Sequence, residues 1–151
     1  MPNTSLPIPH FKQAKGNTCV PACARMVLAY LGHSIDESTL VKLLDTKPFG
    51  TAVRNIQRVS SLGFAVSLGS SALTNIRAAL TSGNPVITFV MTGHLKYWQV
   101  NVPHAVVVVG VDDENVYLDD PWFDVSPQVS PIDDYLAAWA EFDRLAATIT
   151  R

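Results

Sequence analysis

Gln13-Ala14-Lys15-Gly16-Asn17-Thr18-Cys19-Val20-Pro21-Ala22-Cys23-Ala24-Arg25-Met26-Val27-Leu28 is the stretch that decides how this chain folds and where its chemistry lies. The first half is polar and contains a glycine, so it reads as a loop. In the second half apolar side chains recur at Val20, Ala24, Val27 and Leu28, continuing to Leu31, the spacing of one helix face, and Gly32 supplies the stop. Pro21 suits the first helical turn, where its missing N–H costs nothing. Cys19 therefore stands at a helix N-terminus, where unpaired backbone N–H groups and the helix dipole favour a negatively charged sulfur. That matters because the thiolate, not the thiol, is the nucleophile, and a free thiol is mostly protonated at neutral pH. Cys23, one turn deeper, reads as a small buried hydrophobe.

Outward from this stretch the chain is helical first and β later. Short helices are expected over roughly Glu37–Leu44, from a Thr51 cap to Leu62, and over Leu73–Leu80, with a strand at Phe64–Leu68. Strands then follow at Pro85–Met91, His104–Val111 and Asn115–Leu118, a late helix at Ile132–Glu141 and a closing strand at Leu145–Ile149. The His104–Val111 run is apolar at nearly every position, the pattern of a central strand covered on both faces. Helices followed by a mostly antiparallel sheet make an α+β architecture.

At 151 residues the chain reads as one domain, 1–151, with nearly half its residues hydrophobic and 16% charged, which favours a dense core over disorder. A net charge of −2 without a basic run argues against nucleic acid as the partner. Met1–Lys12 lacks the apolar core of a signal peptide, and Ala105–Val109 is far too short to span a membrane. A cytoplasmic protein is the expectation. Cys19 and Cys23, four apart on one helix, point along the axis and not at each other, so neither a disulfide nor a structural zinc site is expected.

Three further residues complete a set. His104 opens the Val-rich strand, held rigidly enough to serve as a base for a nearby sulfur. His10, His33 and His94 lie in loops. Asp120 ends the next strand before Pro121, and a tight hairpin would return it to His104, where a carboxylate orients the imidazole. Asp119 is its rival, but alternation sends the two side chains to opposite faces. Asp112 and Asp113 read as solvated turn residues. Gln13 offers a side-chain amide which, with the Cys19 N–H, suits an oxyanion.

Gln13-x5-Cys19, then Pro21-Ala22 and Met26-x-Leu28-x-Tyr30-x-Gly32, resembles the opening of the C39-like peptidases of the papain-like fold. His104 to Asp112, Val116 to Pro121 and the closing Tyr135-Leu136-x-x-Trp139 are similar to later blocks of that family. The resemblance implies Cys19 as nucleophile, His104 as general base, Asp120 as orienting acid and Gln13 in the oxyanion hole. It also implies a peptide or protein substrate and no metal or organic cofactor. Thr18-Cys19-x-Pro21-Ala22 is closer to the stand-alone branch than to the peptidase domains of export transporters, which cut after Gly-Gly. A glutamine deamidase or transglutaminase using the same residues, a catalytically silent peptide-binding module, and a Cys19–Cys23 redox protein are the rival readings. The aromatic residues Tyr97, Trp98, Trp122 and Phe123 are expected near His104, as a lining for apolar substrate side chains or as packing under a loop. Oligomeric state is not legible in the sequence.

Overall fold

The structure, a computed structural model, describes residues 5–151. Of the leader read over Met1–Lys12, Met1–Thr4 lie outside the described residues. The order is α1 (Cys19–Tyr30), α2 (Glu37–Leu43), a 3₁₀ segment (Val53–Leu62), β1 (Ala65–Ser70), α3 (Leu73–Thr81) and β2 (Val86–Met91). A short 3₁₀ turn (Thr92–His94) leads on to β3 (Pro103–Val111), β4 (Asn115–Asp119), β5 (Gln128–Pro131), α4 (Ile132–Ala140) and β6 (Leu145–Thr150). The strands form one antiparallel sheet in the order β1-β6-β2-β3-β4-β5. The α+β expectation is borne out. No helix among the described residues is long and apolar enough to cross a membrane.

The Val-rich run explains the layering. Ala105, Val107 and Val109 join the core that α1, α2 and the 3₁₀ segment close, together with Met26, Val27, Leu40 and Ile56. Val106 and Val108 face the other way, into a second core with Ile76 of α3 and Tyr135 and Trp139 of α4. An antiparallel sheet often leaves one face wet. Here helices cover both faces, so β3 has no polar position between Ala105 and Val109, and all five of these residues are buried.

One local expectation changes. The third helix is 3₁₀, and Thr51 does not cap it: its N-cap is Ala52 with no side-chain bond, while the Thr51 hydroxyl bonds to Thr46. Its polar, β-branched and glycine-terminated sequence favours a short-range ladder, and it ends where Gly63 takes φ +93. Asp112 lies in the hairpin turn as expected, and its carboxylate is engaged there. Its carboxylate accepts from the N–H of Glu114 and Asn115 and from the Tyr117 hydroxyl, closing the β3–β4 hairpin. The edge strand β5 has no counterpart in the sequence reading, because its four residues include two polar side chains and a proline.

The β3–β4 ladder contains a bulge. Gly110 pairs with Tyr117 and Val111 with Val116, but beyond Val109 the register becomes Val108 with Leu118 and Val107 with Asp119. The carbonyl of the extra residue, Val109, is taken by the N–H of Leu6, so the N-terminal segment lies along the bulge. Gly110 permits that approach: a Cβ there would stand 2.7 Å from Ser5 Oγ.

Candidate active site

Four tethers hold the loop before α1. The Gln13 N–H donates to the Pro121 carbonyl at 2.7 Å, and the Ala14 N–H donates to the Glu37 carboxylate at 3.0 Å. Asn17 Nδ2 donates to the Lys47 carbonyl at 2.8 Å. The Lys15 carbonyl gathers three donors: Gln13 Nε2 at 2.6 Å, Thr18 Oγ1 at 3.0 Å and the Thr18 N–H at 3.3 Å. Thr18, the N-cap of α1, thus turns its hydroxyl back into the loop, and no side chain caps the helix. The first N–H to close onto Thr18 is that of Ala22, so the Cys19 N–H lies ahead of the helical ladder. The result is an open helix N-terminus beside the sulfur.

His104 and Asp120 meet as the hairpin predicts. His104 Nε2 lies 2.7 Å from Asp120 Oδ1, with His104 6% exposed and Asp120 fully buried. An ionised carboxylate only accepts, so Nε2 carries the proton and Nδ1 is the ring nitrogen left for another partner. Cys19 lines the same cleft as His104 and acts electrostatically on its imidazole. Burial opposes a charge on His104, yet the bonds and charges of Asp120 and Cys19 outweigh it and raise the imidazole to about 9. Asp120 balances similarly: burial pushes its carboxyl up, but His104 and the donors of Trp122 and Trp98 bring it below the usual carboxylate value.

The expected aromatic cluster is present, and it packs about Asp120. Tyr97 Oη and Trp98 Nε1 donate to Asp120 Oδ2 at 2.8 and 2.9 Å, and the Trp122 N–H donates to Oδ1 at 2.9 Å. With His104 this gives the carboxylate four donors. The Trp98 ring also packs edge-on against His104, with centroids 4.9 Å apart, and Trp122 stacks on Trp98 at 6.0 Å. Burial first, and then the Asp120 charge, hold the Tyr97 hydroxyl protonated and so able to donate. None of the four aromatic residues is among those lining the cleft at Cys19 and His104, so of the two readings the packing one fits, and that packing buttresses Asp120. Tyr97 and Trp98 were legible only as aromatics near a histidine, since nothing local in the sequence says what their polar atoms bond.

Asp119 turns away and accepts from Ser126, and burial raises its carboxyl above the usual value. His10 sits on the same end of the sheet, its Nε2 2.9 Å from the Asp120 carbonyl oxygen. Cys23 is completely buried, and that burial, with the charges of Cys19, Asp120 and Asp119 adding, pushes its thiol well above the ordinary value. It stays a neutral packing residue. Gln13 is buried, with Nε2 anchored at Lys15 and Oε1 without a partner among the described residues. One N–H of its amide remains beyond the Lys15 bond.

A cleft of about 410 Å³ opens at this point, reached by Cys19 and His104 and walled by Phe89 and Phe142 on one side and the 3₁₀ segment on the other. Here a partly buried Cys19, a protonated imidazole and a helix N-terminus without a side-chain cap among the described residues come together. Such a set can attack a carbonyl, hold the oxyanion and protonate a leaving group.

Similar folds are known. The chain superposes on a protein from Bacillus anthracis classed as a C39-like peptidase with TM-score 0.82, at 15% identity over 99% of this chain and 98% of that one. The peptidase domain of Streptococcus ComA, a bifunctional ABC transporter of a quorum-sensing pathway, gives 0.78 at 20% identity over 93% and 96%. A double-glycine-motif protease from an AMS/PCAT transporter, solved with a leader peptide, gives 0.75 at 15% identity over 99% and 96%. No curated protein matches the chain in sequence. The model of the Peptidase C39-like family, however, matches residues 5–147, and with the helix-borne cysteine and the fold these place the chain in that family: it belongs to the Peptidase C39-like family.

Proposed function

We propose that the chain is a cysteine peptidase that hydrolyses an amide bond in a peptide or protein through Cys19, His104 and Asp120. The observation that carries this is the buried His104–Asp120 pair at 2.7 Å, with Cys19 and His104 lining the same cleft. Cys19 Sγ attacks the carbonyl carbon while its proton rests on His104, and the carbonyl oxygen gains the negative charge. The Cys19 N–H and the amide N–H of Gln13 beyond its Lys15 bond hold that oxygen. His104 then passes the proton to the departing amine, and a thioester remains. Water, deprotonated by His104, releases the acid and restores the sulfur. Asp120 stays ionised throughout and holds the ring. A structure of the same fold with a bound leader peptide supports a peptide as the substrate class.

The test is a peptide mixture incubated with wild type and with Cys19→Ala, new termini being read by mass spectrometry. New termini with wild type only are expected. Equal, background termini in both would overturn the reading.

A further inference from the structure

We propose that the cleft beside Cys19 selects peptides bearing an acidic side chain near the bond acted on, with Arg54 and Arg58 as the receptors of its carboxylate. This rests on the peptidase reading of the site and names its substrate class. Four residues with charged side chains besides His104 line the cleft: Asp45, Lys47, Arg54 and Arg58. Asp45 and Lys47 neutralise each other, with Nζ and Oδ1 3.1 Å apart. Arg54 and Arg58 are exposed and make no ion pair or side-chain hydrogen bond among the described residues. The cleft thus keeps two unspent positive charges, in a chain whose net charge is −2. The positive field belongs to this place and not to the composition.

The type of cation matters. A guanidinium presents a planar fork that fits a carboxylate with two parallel bonds and sheds water more readily than an ammonium. Both arginines, on the 3₁₀ segment, line the same cleft as Cys19, so a carboxylate held there belongs to the chain being acted on. The remaining wall is mostly apolar, with Thr51 and Asn55 among its residues. Phe49, at the tip of the turn closed by the Lys47–Gly50 bridge, is 90% exposed and lines the cleft mouth. An aromatic ring in that position contributes little to the core and is free to cover an apolar side chain beside the acidic one. The arginines are wet, so the preference is expected to be about two- to fivefold for each guanidinium and to weaken at high salt.

The experiment uses a random nonapeptide library in two arms. In one, wild type cleaves the library and the residues flanking each new terminus are tabulated. In the other, immobilised Cys19→Ala retains peptides from the same library at low and at high salt. Asp and Glu are expected to be enriched in both arms, salt-sensitively in the second. In Arg54→Glu/Arg58→Glu the enrichment should shift to Lys and Arg, and both positions are exposed, so folding is not at risk. Cleavage without acidic enrichment, or enrichment unchanged in the double variant, overturns the inference and leaves the peptidase reading standing. Arginine-dependent retention of acidic peptides without any cleavage does the reverse: the receptor stands and the peptidase reading fails. Neither retention nor cleavage overturns both.

Discussion

The two sides of His104 are built on opposite principles. Behind the ring everything is closed: Asp120 is fully buried and takes four donors, from His104, Tyr97, Trp98 and the Trp122 N–H. In front, the cleft is open and its wall carries exposed Phe49, Arg54 and Arg58. The difference separates two tasks. A proton must be held at one atom, which needs a dry, fully bonded network where each interaction is strong. A substrate must arrive from water, which needs accessible groups and tolerates their lower electrostatic worth.

Substitutions can break that contrast, starting with the largest effect. Cys19→Ala is expected to lower kcat/KM for any cleaved peptide by at least about a thousandfold, with the fold intact by circular dichroism. Asp120→Asn should cost about a hundredfold or more in kcat. It should also move the alkaline limb of the pH profile. His104 stays protonated up to about 9 because of Asp120 and Cys19, so wild-type kcat/KM should fall as pH rises through that value. Without the carboxylate charge the limb should move to lower pH, and an unmoved limb would remove Asp120 from the proton's environment.

The same pair links to stability with a definite sign. The folded imidazole value lies above the free value of 6.5, so its stabilisation is complete below 6.5 and is lost as pH rises through about 9. The Asp120 carboxyl is lowered instead, so its contribution is present above the ordinary value of 3.8 and is lost as the pH falls through the lowered one. Urea midpoints measured across pH should therefore decline at both ends.

Smaller effects sharpen the picture. Tyr97→Phe keeps the ring and removes one donor from the buried carboxylate. A loss of about 1.5–3 kcal/mol in urea unfolding is expected for such a bond to a charged group. Trp122 is 44% exposed and touches Asp120 only through its backbone N–H, which any residue supplies. Trp122→Ala should cost only the stacking on Trp98, about 0.5–1.5 kcal/mol, with kcat little changed. A large fall in kcat at unchanged stability would instead place Trp122 on the open side, against the substrate.

Much of this layout was legible in the chain. The polar run before Cys19, the 3.6-residue spacing after it and the unbroken Val run each report on neighbours a few residues away, and α1 and β3 appear where those patterns place them. The boundaries of α2, α3, α4 and β6 follow for the same reason. Other features escaped. The bonds of Tyr97 and Trp98 to Asp120 span 23 and 22 residues, and no local pattern records where a phenol or an indole N–H will end. Arg54 and Arg58 carried no signal of a site in the sequence, and only the fold sets them in one cleft with Cys19 and the turn at 47–50.

The choice between Asp119 and Asp120 marks the boundary between the two kinds of information. Sequence alternation established that the two carboxylates point to opposite faces, so one and not both would meet His104. Which one depends on the bulge at Val109. The register that leaves the Asp112–Asn115 turn pairs Gly110 with Tyr117, and continued unbroken it would set Asp119 on the face of Val108, Val106 and His104. The bulge advances β3 by one residue, which flips every side chain beyond it and gives that face to Asp120. The extra residue is accommodated through Leu6 bonding the Val109 carbonyl and Ser5 lying against Gly110, contacts more than 100 residues apart in sequence. Helix phase, strand alternation and the place of Cys19 at a helix start are properties of neighbouring residues, and the sequence alone determined them. The register that selects the carboxylate and the aromatic donors that hold it come from distant segments meeting, and only the tertiary structure decided those.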